Sequence, residues 1–188
     1  RSITDLSEVS GWRPGKLLDI GCGTAAYLKD LQALGFDCVG VDFSGKTLYW
    51  AAQWKSRVGI DYALVQGNVL ELPFKAHSFD YVMCVAVIHH LDSAKKRIKA
   101  LKEMRRILKK GGRGMITVWN KNQPRFKGKK KGAMIPWNHE GKRYYRYYHL
   151  FDLKELESLV RKSGLKIVRI NEELRGGSAK NIQAVVRK

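Results

Sequence analysis

The sequence contains few cysteines and no long apolar run, and both absences limit what the protein can be. Its three cysteines, Cys22, Cys38 and Cys84, form no C-x-x-C pair, and each falls in or beside a predicted buried strand. An odd, scattered set of cysteines argues for reduced thiols in a cytoplasmic protein and against a metal site in this chain. No apolar run approaches the roughly 20 residues of a membrane span, and no signal-peptide pattern opens the chain, so we expect no membrane partner.

The chain is also short of acidic residues. It has 17 Asp and Glu against 36 Lys and Arg, which gives a formal net charge of +19. A field of this strength favours polyanions and makes their binding depend on salt, which predicts nucleic acid as the partner. The alternatives are a generally basic proteome or a solvated basic surface, because charge alone does not define a site. The length predicts a single domain over residues 1–188.

Strand and helix signals alternate along the chain, which predicts an α/β fold with a mainly parallel sheet. The last two predicted strands are separated only by a turn around Arg175-Gly176-Gly177-Ser178, a spacing that suits an antiparallel hairpin. We therefore predict a Rossmann-like sheet of seven strands, mainly parallel, with an antiparallel last strand. The predicted strands are 16–20, 37–42, 61–66, 79–86, 113–119, 165–172 and 180–187, and the predicted helices are 24–34, 45–56, 93–109 and 152–163.

A glycine-rich turn, Asp19-Ile20-Gly21-Cys22-Gly23-Thr24, joins the first predicted strand to the first predicted helix. Glycines at such a crossing let a ligand approach the backbone, and a helix N-terminus offers free N–H groups. The glycines alone are weak evidence, because with Ala26 they also satisfy the dinucleotide fingerprint G-x-G-x-x-G/A. Asp19 separates the two interpretations, since a carboxylate would repel a pyrophosphate but would pair with an ammonium. The turn therefore resembles motif I of the class I S-adenosylmethionine (SAM) methyltransferases, whose cofactor carries an ammonium and no phosphate.

A second acidic residue, Asp42, ends the next predicted strand. It can accept two hydrogen bonds from a ribose diol, or, as an alternative, it caps the turn before Ser44. The resemblance to this class implies that Phe43 and the pair Asn68-Val69 bind the cofactor as well, with Asn68 against the adenine. It also implies that the strand end at Cys84 lines the transferable methyl group, although residues 79–88 are equally explained as a buried central strand.

Residues 121–149 interrupt the alternation of strands and helices. The stretch 121–146 carries nine basic residues and one acid, Glu140, with aromatic rings between them. Basic residues hold phosphates and aromatic rings stack on unpaired bases, so this composition predicts a substrate loop for RNA. A flexible lysine-rich linker is the alternative for its middle, around Gly128–Gly132. The basic residues are Lys121, Arg125, Lys127, Lys129, Lys130, Lys131, Lys142, Arg143 and Arg146.

Three later segments make the resemblance more specific. They are Val118-Trp119-Asn120-Lys121-Asn122-Gln123, Ile135-Pro136-Trp137 and Arg146-Tyr147-Tyr148-His149-Leu150-Phe151. In this order they resemble the tRNA wobble-uridine carboxymethyl methyltransferases, although Lys180-Asn181-Ile182 stands where an Asn-Trp pair is expected. The resemblance implies the class I methyltransferase fold, SAM as the cofactor, and methyl esterification of 5-carboxymethyluridine in the tRNA anticodon stem-loop.

The same resemblance assigns candidate catalytic residues. Arg146 and Arg125 are expected to hold the substrate carboxylate, because a guanidinium matches a carboxylate in shape. His149 and His89 are expected to orient it as hydrogen-bond donors, and Trp119 to stack on a flipped uridine. The alternatives are that His89 only contacts backbone at a strand end and that Trp119 belongs to the core.

Enzymes of this family work with a small zinc-binding activator protein, which the resemblance implies as a second partner. Trp50 and Trp54 lie one turn apart on the predicted helix 45–56, and the strand near 61–66 is expected at the sheet edge, open to strand addition. We predict that they form the activator interface, although both tryptophans are also explained as core residues. Two rival functions stay open: a small-molecule SAM methyltransferase, and a catalytically silent RNA-binding protein of the same fold.

Overall fold

The computed structural model describes residues 6–139, 141–175 and 177–188. In these ranges no helix is long and apolar enough to cross a membrane. The helices are α1 (Ser7–Ser10), α2 (Leu28–Ala33), α3 (Gly45–Val58), α4 (Ala94–Ile107) and α5 (Leu153–Lys162), with 3₁₀ turns at Ile88–His90 and Pro124–Phe126. The strands are β1 (Lys16–Ile20), β2 (Asp37–Asp42), β3 (Ala63–Gln66), β4 (Phe79–Val85), β5 (Leu108–Trp119), β6 (Gly132–His139), β7 (Lys142–His149), β8 (Lys166–Arg175) and β9 (Ser178–Arg187).

Seven strands form one sheet in the order β3-β2-β1-β4-β5-β9-β8. The five strands β3, β2, β1, β4 and β5 are parallel to one another, whereas β9 is antiparallel to both β5 and β8. This arrangement confirms the predicted α/β fold and its antiparallel last strand. It also places β3 at an edge of the sheet, as predicted, and brings the carboxyl ends of β1, β2 and β4 together.

Successive side chains of each strand point to opposite faces of the sheet, so the sheet has two apolar layers. Leu18, Val82 and Ile116 pack on one face with residues of α4 and α5. Leu17 and Met83 pack on the other face with residues of α1, α2 and α3. Because the central strands are buried on both faces, they read as nearly continuous apolar runs in the sequence.

Helix α2 begins later than the helix predicted at this place in the sequence. Residues 24–27 form turns and α2 starts at Leu28, so the prediction of a helix over 24–34 is wrong at its N-terminal end. The reason lies in the backbone, since Gly21, Gly23 and Ala25 all have positive φ angles of 69°, 57° and 64°. A right-handed helix cannot begin until the chain leaves this left-handed region.

The stretch predicted as an irregular substrate loop contains a hairpin. β6 and β7 pair antiparallel in a separate two-stranded sheet, from Gly132 opposite His149 to the pair nearest the turn. The prediction of a loop is therefore wrong for 132–139 and 142–149, and a flexible linker does not describe Gly132. Most of the hairpin is exposed on both faces, so it lacks the alternation of apolar and polar residues by which a half-buried strand is found.

Side-chain caps mark the starts of α4 and α5. Ser93 Oγ accepts a hydrogen bond from the Lys96 N–H, and Asp152 Oδ1 accepts one from the Glu155 N–H. A capping side chain of this kind stabilises a helix by about 1 kcal/mol. Both caps lie near the site described next, where they fix the first turns of α4 and α5.

Candidate active site

A cavity of about 660 Å³ opens at the sheet edge where β1, β2 and β4 end. It reaches from the turn after β1 to the hairpin, so its two ends come from distant parts of the chain. Doubly wound sheets bind ligands at this edge, and small-molecule sites typically measure roughly 300–1,000 Å³. The lining residues include Gly21, Gly23, Asp42, Phe43, Ser44, Thr47, Asn68, Val69, Ala86, Val87, His90, Leu91, Asp92, Lys96 and Arg146.

Asp19, near the end of β1, is outside the cavity lining but close enough to the lining residue Asp42 to be affected by its charge. Its side chain is 1% exposed, and its Oδ2 has no hydrogen-bond partner in the described chain. Burial, together with the negative charge of Asp42, raises the pKa of the Asp19 carboxyl to about 7. An isolated buried carboxylate is costly, so this position favours a cationic ligand group.

The glycine turn brings the backbone close to its neighbours. The Gly21 N–H donates to the Val41 carbonyl over 2.7 Å, and a Cβ added at Gly21 would lie 2.3 Å from Val87 Cγ2. The Gly23 N–H donates to Asp42 Oδ2 over 2.9 Å. A side chain at position 21 would therefore clash with Val87. The two hydrogen bonds to Val41 and Asp42 also hold the turn close to the end of β2.

Asp42 has the capping role and the cavity position at the same time. Its Oδ1 accepts a hydrogen bond of 2.8 Å from the Ser44 N–H, while Ser44 caps α3. Since each carboxylate oxygen accepts more than one hydrogen bond, Asp42 can still receive the hydroxyl groups of a diol. The two explanations of Asp42 are therefore compatible.

The side wall contains Phe43, which is 75% exposed, with Asn68 and Val69 near it along the cavity. Asn68 Oδ1 accepts a hydrogen bond from the Leu70 N–H. Its amide orientation is thereby fixed, and its NH₂ group remains to face a ligand. Cys84 lies deeper than predicted: it is 1% exposed, outside the cavity lining, and burial raises the pKa of its thiol to about 12.

The residues at this end fit SAM. Asp19 has an oxygen without a donor, which the ammonium of the methionine part would supply, and Asp42 faces the space where a ribose would lie. Among the lining residues, the basic ones, Lys96 and Arg146, belong to the opposite end. A pyrophosphate at this end would lie against the carboxylate of Asp42, near the buried Asp19 and away from the two basic lining residues, so the site suits a cationic cofactor better than a dinucleotide.

Arg146 extends from β7 into the other end of the cavity. Its guanidinium carbon lies 5.2 Å from the centre of the Trp137 ring, and within the described ranges no carboxylate pairs with it. Lys96 lines the same end but is neutralised by Asp92, whose Oδ2 lies 2.8 Å from its Nζ. The free guanidinium is thus the group best suited to bind an anionic substrate.

His90, and not the predicted His89, lines the cavity. His89 is fully buried; its Nδ1 accepts the Trp119 N–H over 3.4 Å and its Nε2 has no partner. Burial, and then the charges of His90, Arg125 and Arg146, hold the pKa of His89 well below its usual value. His89 is therefore a neutral, buried residue outside the cavity lining, and it packs against the rings of His90, Trp119 and Tyr148.

Trp119 has both ring faces covered. Tyr148 stacks on it with ring centres 4.1 Å apart and an angle of 3°, and the guanidinium of Arg125 lies 4.2 Å from its ring centre. Two groups at these distances cannot share one face, so each covers a different face. Trp119 therefore offers no free face for a nucleobase in this arrangement, and Arg125 is exposed but does not line the cavity.

His149 points away from the cavity. Its Nε2 lies 2.6 Å from Glu155 Oε1 on α5, and its ring packs edge-on against Phe151. Neighbouring strand residues face opposite sides, which explains why Tyr148 turns toward Trp119 while His149 turns toward α5. The structure therefore gives His149 an anchoring position.

Comparison with known proteins agrees with this geometry. The family model described as "Methyltransferase domain" matches residues 18–116, which is more than half of the chain. The chain belongs to this methyltransferase family. The fold and the site make it a class I methyltransferase, and its cofactor is SAM.

Several relatives of this methyltransferase are named as tRNA methyltransferases. A human protein named "Probable tRNA methyltransferase 9B" is 40% identical over 127 residues, which are 67% of this chain and 26% of the human protein. The tRNA (carboxymethyluridine(34)-5-O)-methyltransferase of Schizosaccharomyces pombe is 29% identical over 183 residues, 80% of this chain and 73% of that protein. The chain thus spans about a quarter of the human relative.

A solved structure confirms the fold. The crystal structure of a SAM-dependent methyltransferase from Methanosarcina mazei superposes with a TM-score of 0.81 at 19% identity, covering 98% of this chain and 97% of the other. At this identity the likeness concerns the fold. The match over nearly the whole of both chains includes the elements that form the cavity.

The methyltransferase thus brings most predicted cofactor residues together, with Asp19 and Cys84 buried beneath the others. Of the predicted catalytic residues, Arg146 lines the cavity, whereas His90 and Lys96, which line the same end, were not predicted to do so. His90 has a sequence signal, the His89-His90 doublet, but the pattern alone does not tell which of the two faces the cavity. Lys96 has none, because its helix is basic along its whole length.

Proposed function

We propose that this enzyme transfers a methyl group to the carboxylate of 5-carboxymethyluridine at the wobble position of tRNA. The observation that carries the proposal is the Arg146 guanidinium, which no carboxylate of the described residues pairs with, at one end of a cavity whose other end is lined by Asp42, with the buried Asp19 near Asp42. A cation without a partner suits an anionic acceptor, and the two acids suit a cationic cofactor. The Schizosaccharomyces pombe relative, a tRNA (carboxymethyluridine(34)-5-O)-methyltransferase, supports the same acceptor.

The chemistry requires little of the protein beyond position. SAM supplies a methyl group that is already activated as a sulfonium. A carboxylate is ionised at neutral pH, so no general base is needed. Arg146 would hold the acceptor carboxylate and replace the water it loses, while the cavity wall excludes other water. The half-buried His90, whose pKa is lowered by burial, would line the acceptor site as a neutral group.

The hairpin supports RNA as the larger substrate. Trp137, Tyr144 and Tyr145 are 40%, 43% and 58% exposed on it, next to basic residues. Exposed rings beside cations are the usual means of binding unpaired nucleotides. With its net charge of +19, the protein suits a polyanion far better than a neutral metabolite, and a tRNA substrate would place it in the cytoplasm.

The remaining predicted residues take supporting roles in this proposal. Arg125 and Trp119, with His89 behind them, would hold Tyr148 and hence the strand that carries Arg146. His149 would anchor the same strand to α5. Their substitution is expected to lower turnover through the position of Arg146, without direct loss of a substrate contact.

We further propose that a small zinc-binding activator binds beside β3. Trp50 is 54% exposed and lies edge-on to the exposed Tyr49, whereas Trp54 is half-buried and packs inward. The prediction that both tryptophans face the partner is therefore kept for Trp50 only. In the described part of the chain β3 pairs only with β2, which leaves its other edge open and supports strand addition.

The test is transfer of labelled methyl from SAM to tRNA that carries 5-carboxymethyluridine, followed by mild alkali. Label on RNA that alkali releases is expected, because an ester hydrolyses under these conditions. Alkali-stable label would place the methyl on a base or ribose atom and refute the ester. Absence of label on RNA, with SAM bound and the activator present, would favour a small-molecule acceptor or a silent site.

A further inference from the structure

Helix α4 has an unusual balance of charge. Its 14 residues, AKKRIKALKEMRRI, contain seven basic residues and one acid, Glu103. One side of the helix packs on the sheet, so most of the excess positive charge lies on the solvent-facing side of the helix. The buried side consists of Arg97, Ala100, Leu101, Met104 and Ile107.

Three lysines form a stripe on the side opposite the core. Lys95, Lys99 and Lys102 follow the spacing i, i+4, i+7, which places them on one side of a helix over about 10 Å of its length. All three are exposed. No carboxylate of the described residues lies within ion-pair distance of them. Glu103 is bound to Arg106 at 2.8 Å and attracts Lys99 only from a greater distance.

Folding alone does not explain this stripe. Like charges three and four residues apart destabilise a helix by roughly 0.2–0.5 kcal/mol per pair. Helix α5 packs on the same face of the sheet but has mixed charge, and its Glu157 pairs with Arg161 at 2.9 Å. Compared with α5, α4 therefore carries a run of exposed lysines of one sign along one side, and such a run suits an external anion.

The stripe starts at the substrate end of the cavity. Lys96 in the first turn of α4 and Asp92 just before it line the cavity, and the helix leads away from there. α4 contains no aromatic residue, in contrast to the hairpin on the other side of the opening. Cations without rings bind phosphates, whereas rings bind unpaired bases.

We infer that Lys95, Lys99 and Lys102 bind the phosphate backbone of the base-paired RNA stem next to the loop whose nucleotide enters the cavity. This inference rests on the proposed function and deepens it. The hairpin then holds the unpaired nucleotides and α4 holds the stem. The two surfaces together orient the loop toward Arg146.

The experiment measures binding of the full chain to a labelled anticodon stem-loop RNA across a series of salt concentrations. The test variant is Lys95→Gln/Lys99→Gln/Lys102→Gln. The matched control, Arg13→Gln/Lys29→Gln/Arg57→Gln, removes the same charge from exposed positions away from α4, two of them on helices of the other sheet face. An unpaired RNA of the same length serves as the second ligand, and Lys95→Arg/Lys99→Arg/Lys102→Arg tests rescue by charge.

We expect the α4 variant to bind the stem-loop about tenfold more weakly at moderate salt, with the slope of log K against log salt reduced by roughly 2 to 3. The control, the arginine variant and binding to the unpaired RNA should change by less than about twofold. Equal effects of the α4 and control variants would overturn the inference, as would equal loss on both RNAs. If the wild type methylates no RNA but the α4 slope still changes, the proposed reaction fails while this RNA surface stands.

Discussion

At Asp19, the proposed role in cofactor binding conflicts with the stability of the folded protein. Its burial raises the pKa of the carboxyl to about 7, and the charge of Asp42 contributes in the same direction. Below that pH the free enzyme holds a proton that a cationic ligand must displace. We therefore expect the affinity for S-adenosylhomocysteine, which keeps the ammonium of SAM, to fall up to tenfold per pH unit below about 7.

Calorimetric titration from pH 5.5 to 8, in buffers of different ionisation enthalpy, measures this effect together with the proton released on binding. A dissociation constant that does not change over this range, with no proton released, would contradict the assignment of Asp19 to the ammonium.

The same residue predicts an effect on stability. Because the folded pKa is raised above 3.8, the folded state binds more protons than the unfolded state between about pH 4 and pH 7. The contribution of Asp19 to stability therefore falls as the pH rises through this window. Asp19→Asn should stabilise the ligand-free protein at pH 8 by about 2–4 kcal/mol, with little effect near pH 4, and should abolish cofactor binding. Urea denaturation at both pH values checks this, and a variant less stable than wild type at pH 8 would disprove it.

Arg146 permits a sharper test of substrate binding. Arg146→Ala should lower kcat/KM for carboxymethyluridine tRNA roughly 10²-fold, because a charge-assisted hydrogen bond is lost, while cofactor affinity stays within about twofold. Arg146→Lys should recover part of the activity through its charge. Arg143→Ala is the matched control, since Arg143 is exposed on the same strand but outside the cavity lining. A similar loss in both alanine variants would mean that the strand binds RNA only by charge.

At the scale of elements, two carboxylates at the start of α5 hold the open end of the hairpin, where β6 begins and β7 ends. Glu155 binds His149 at the end of β7 and Lys131 just before β6, at 2.6 and 2.9 Å, and Asp152 binds Lys131 at 2.8 Å. Burial raises the pKa of Glu155, but the hydrogen bonds from His149 and Lys131 outweigh it, so the net pKa is lowered. The pKa of Asp152 is lowered to about 2, chiefly by Lys131. Both acids are therefore ionised at neutral pH, and their contribution is lost only as the pH falls through these low values.

Glu155→Gln should loosen the hairpin by about 1–2 kcal/mol, since one acceptor serves two donors at its open end. Amide hydrogen exchange should speed up in β6 and β7, and kcat/KM for tRNA should fall several-fold while cofactor affinity is unchanged. Glu157→Gln is the control, because it removes only the pair with Arg161 on the same helix. Unchanged exchange in the hairpin would contradict the anchoring role of Glu155.

The same hairpin shows where sequence-based prediction reaches its limit. The strands around Asp19 and Asp42 could be predicted because burial on both faces leaves apolar runs and the acids mark their ends. β6 and β7 carry no such pattern, since their neighbours are solvent and each other, and Pro136 within β6 argues against a strand. The roles of His89 and His149 could not be predicted for a related reason: which ring faces the cavity depends on a 3₁₀ turn and on strand register, neither of which leaves a signal in composition.

At the scale of the whole molecule, the surfaces proposed to bind RNA and the activator are formed by different elements of the fold. The cofactor end of the cavity is lined by Asp42, and its other end is lined by Arg146 of the hairpin and Lys96 of α4. The exposed Trp50 of α3 and the edge strand β3 contribute no residue to the lining. RNA can therefore bind without covering β3. The two sheet edges, β3 and β8, offer a comparison inside one chain.

If the activator binds beside β3, Trp50→Ala should weaken its binding at least tenfold, because a large aromatic ring at the centre of an interface typically contributes 2 kcal/mol or more. Cofactor affinity should be unchanged, since Trp50 does not line the cavity. Leu174→Ala is the matched control: Leu174 is 66% exposed on β8 at the opposite edge of the sheet, and its loss should leave the complex intact. Titration of each variant with the zinc-loaded activator, followed by methylation of tRNA, measures both effects. Equal affinity for wild type and Trp50→Ala would move the activator away from this edge, and full activity of the isolated chain would remove the need for a partner.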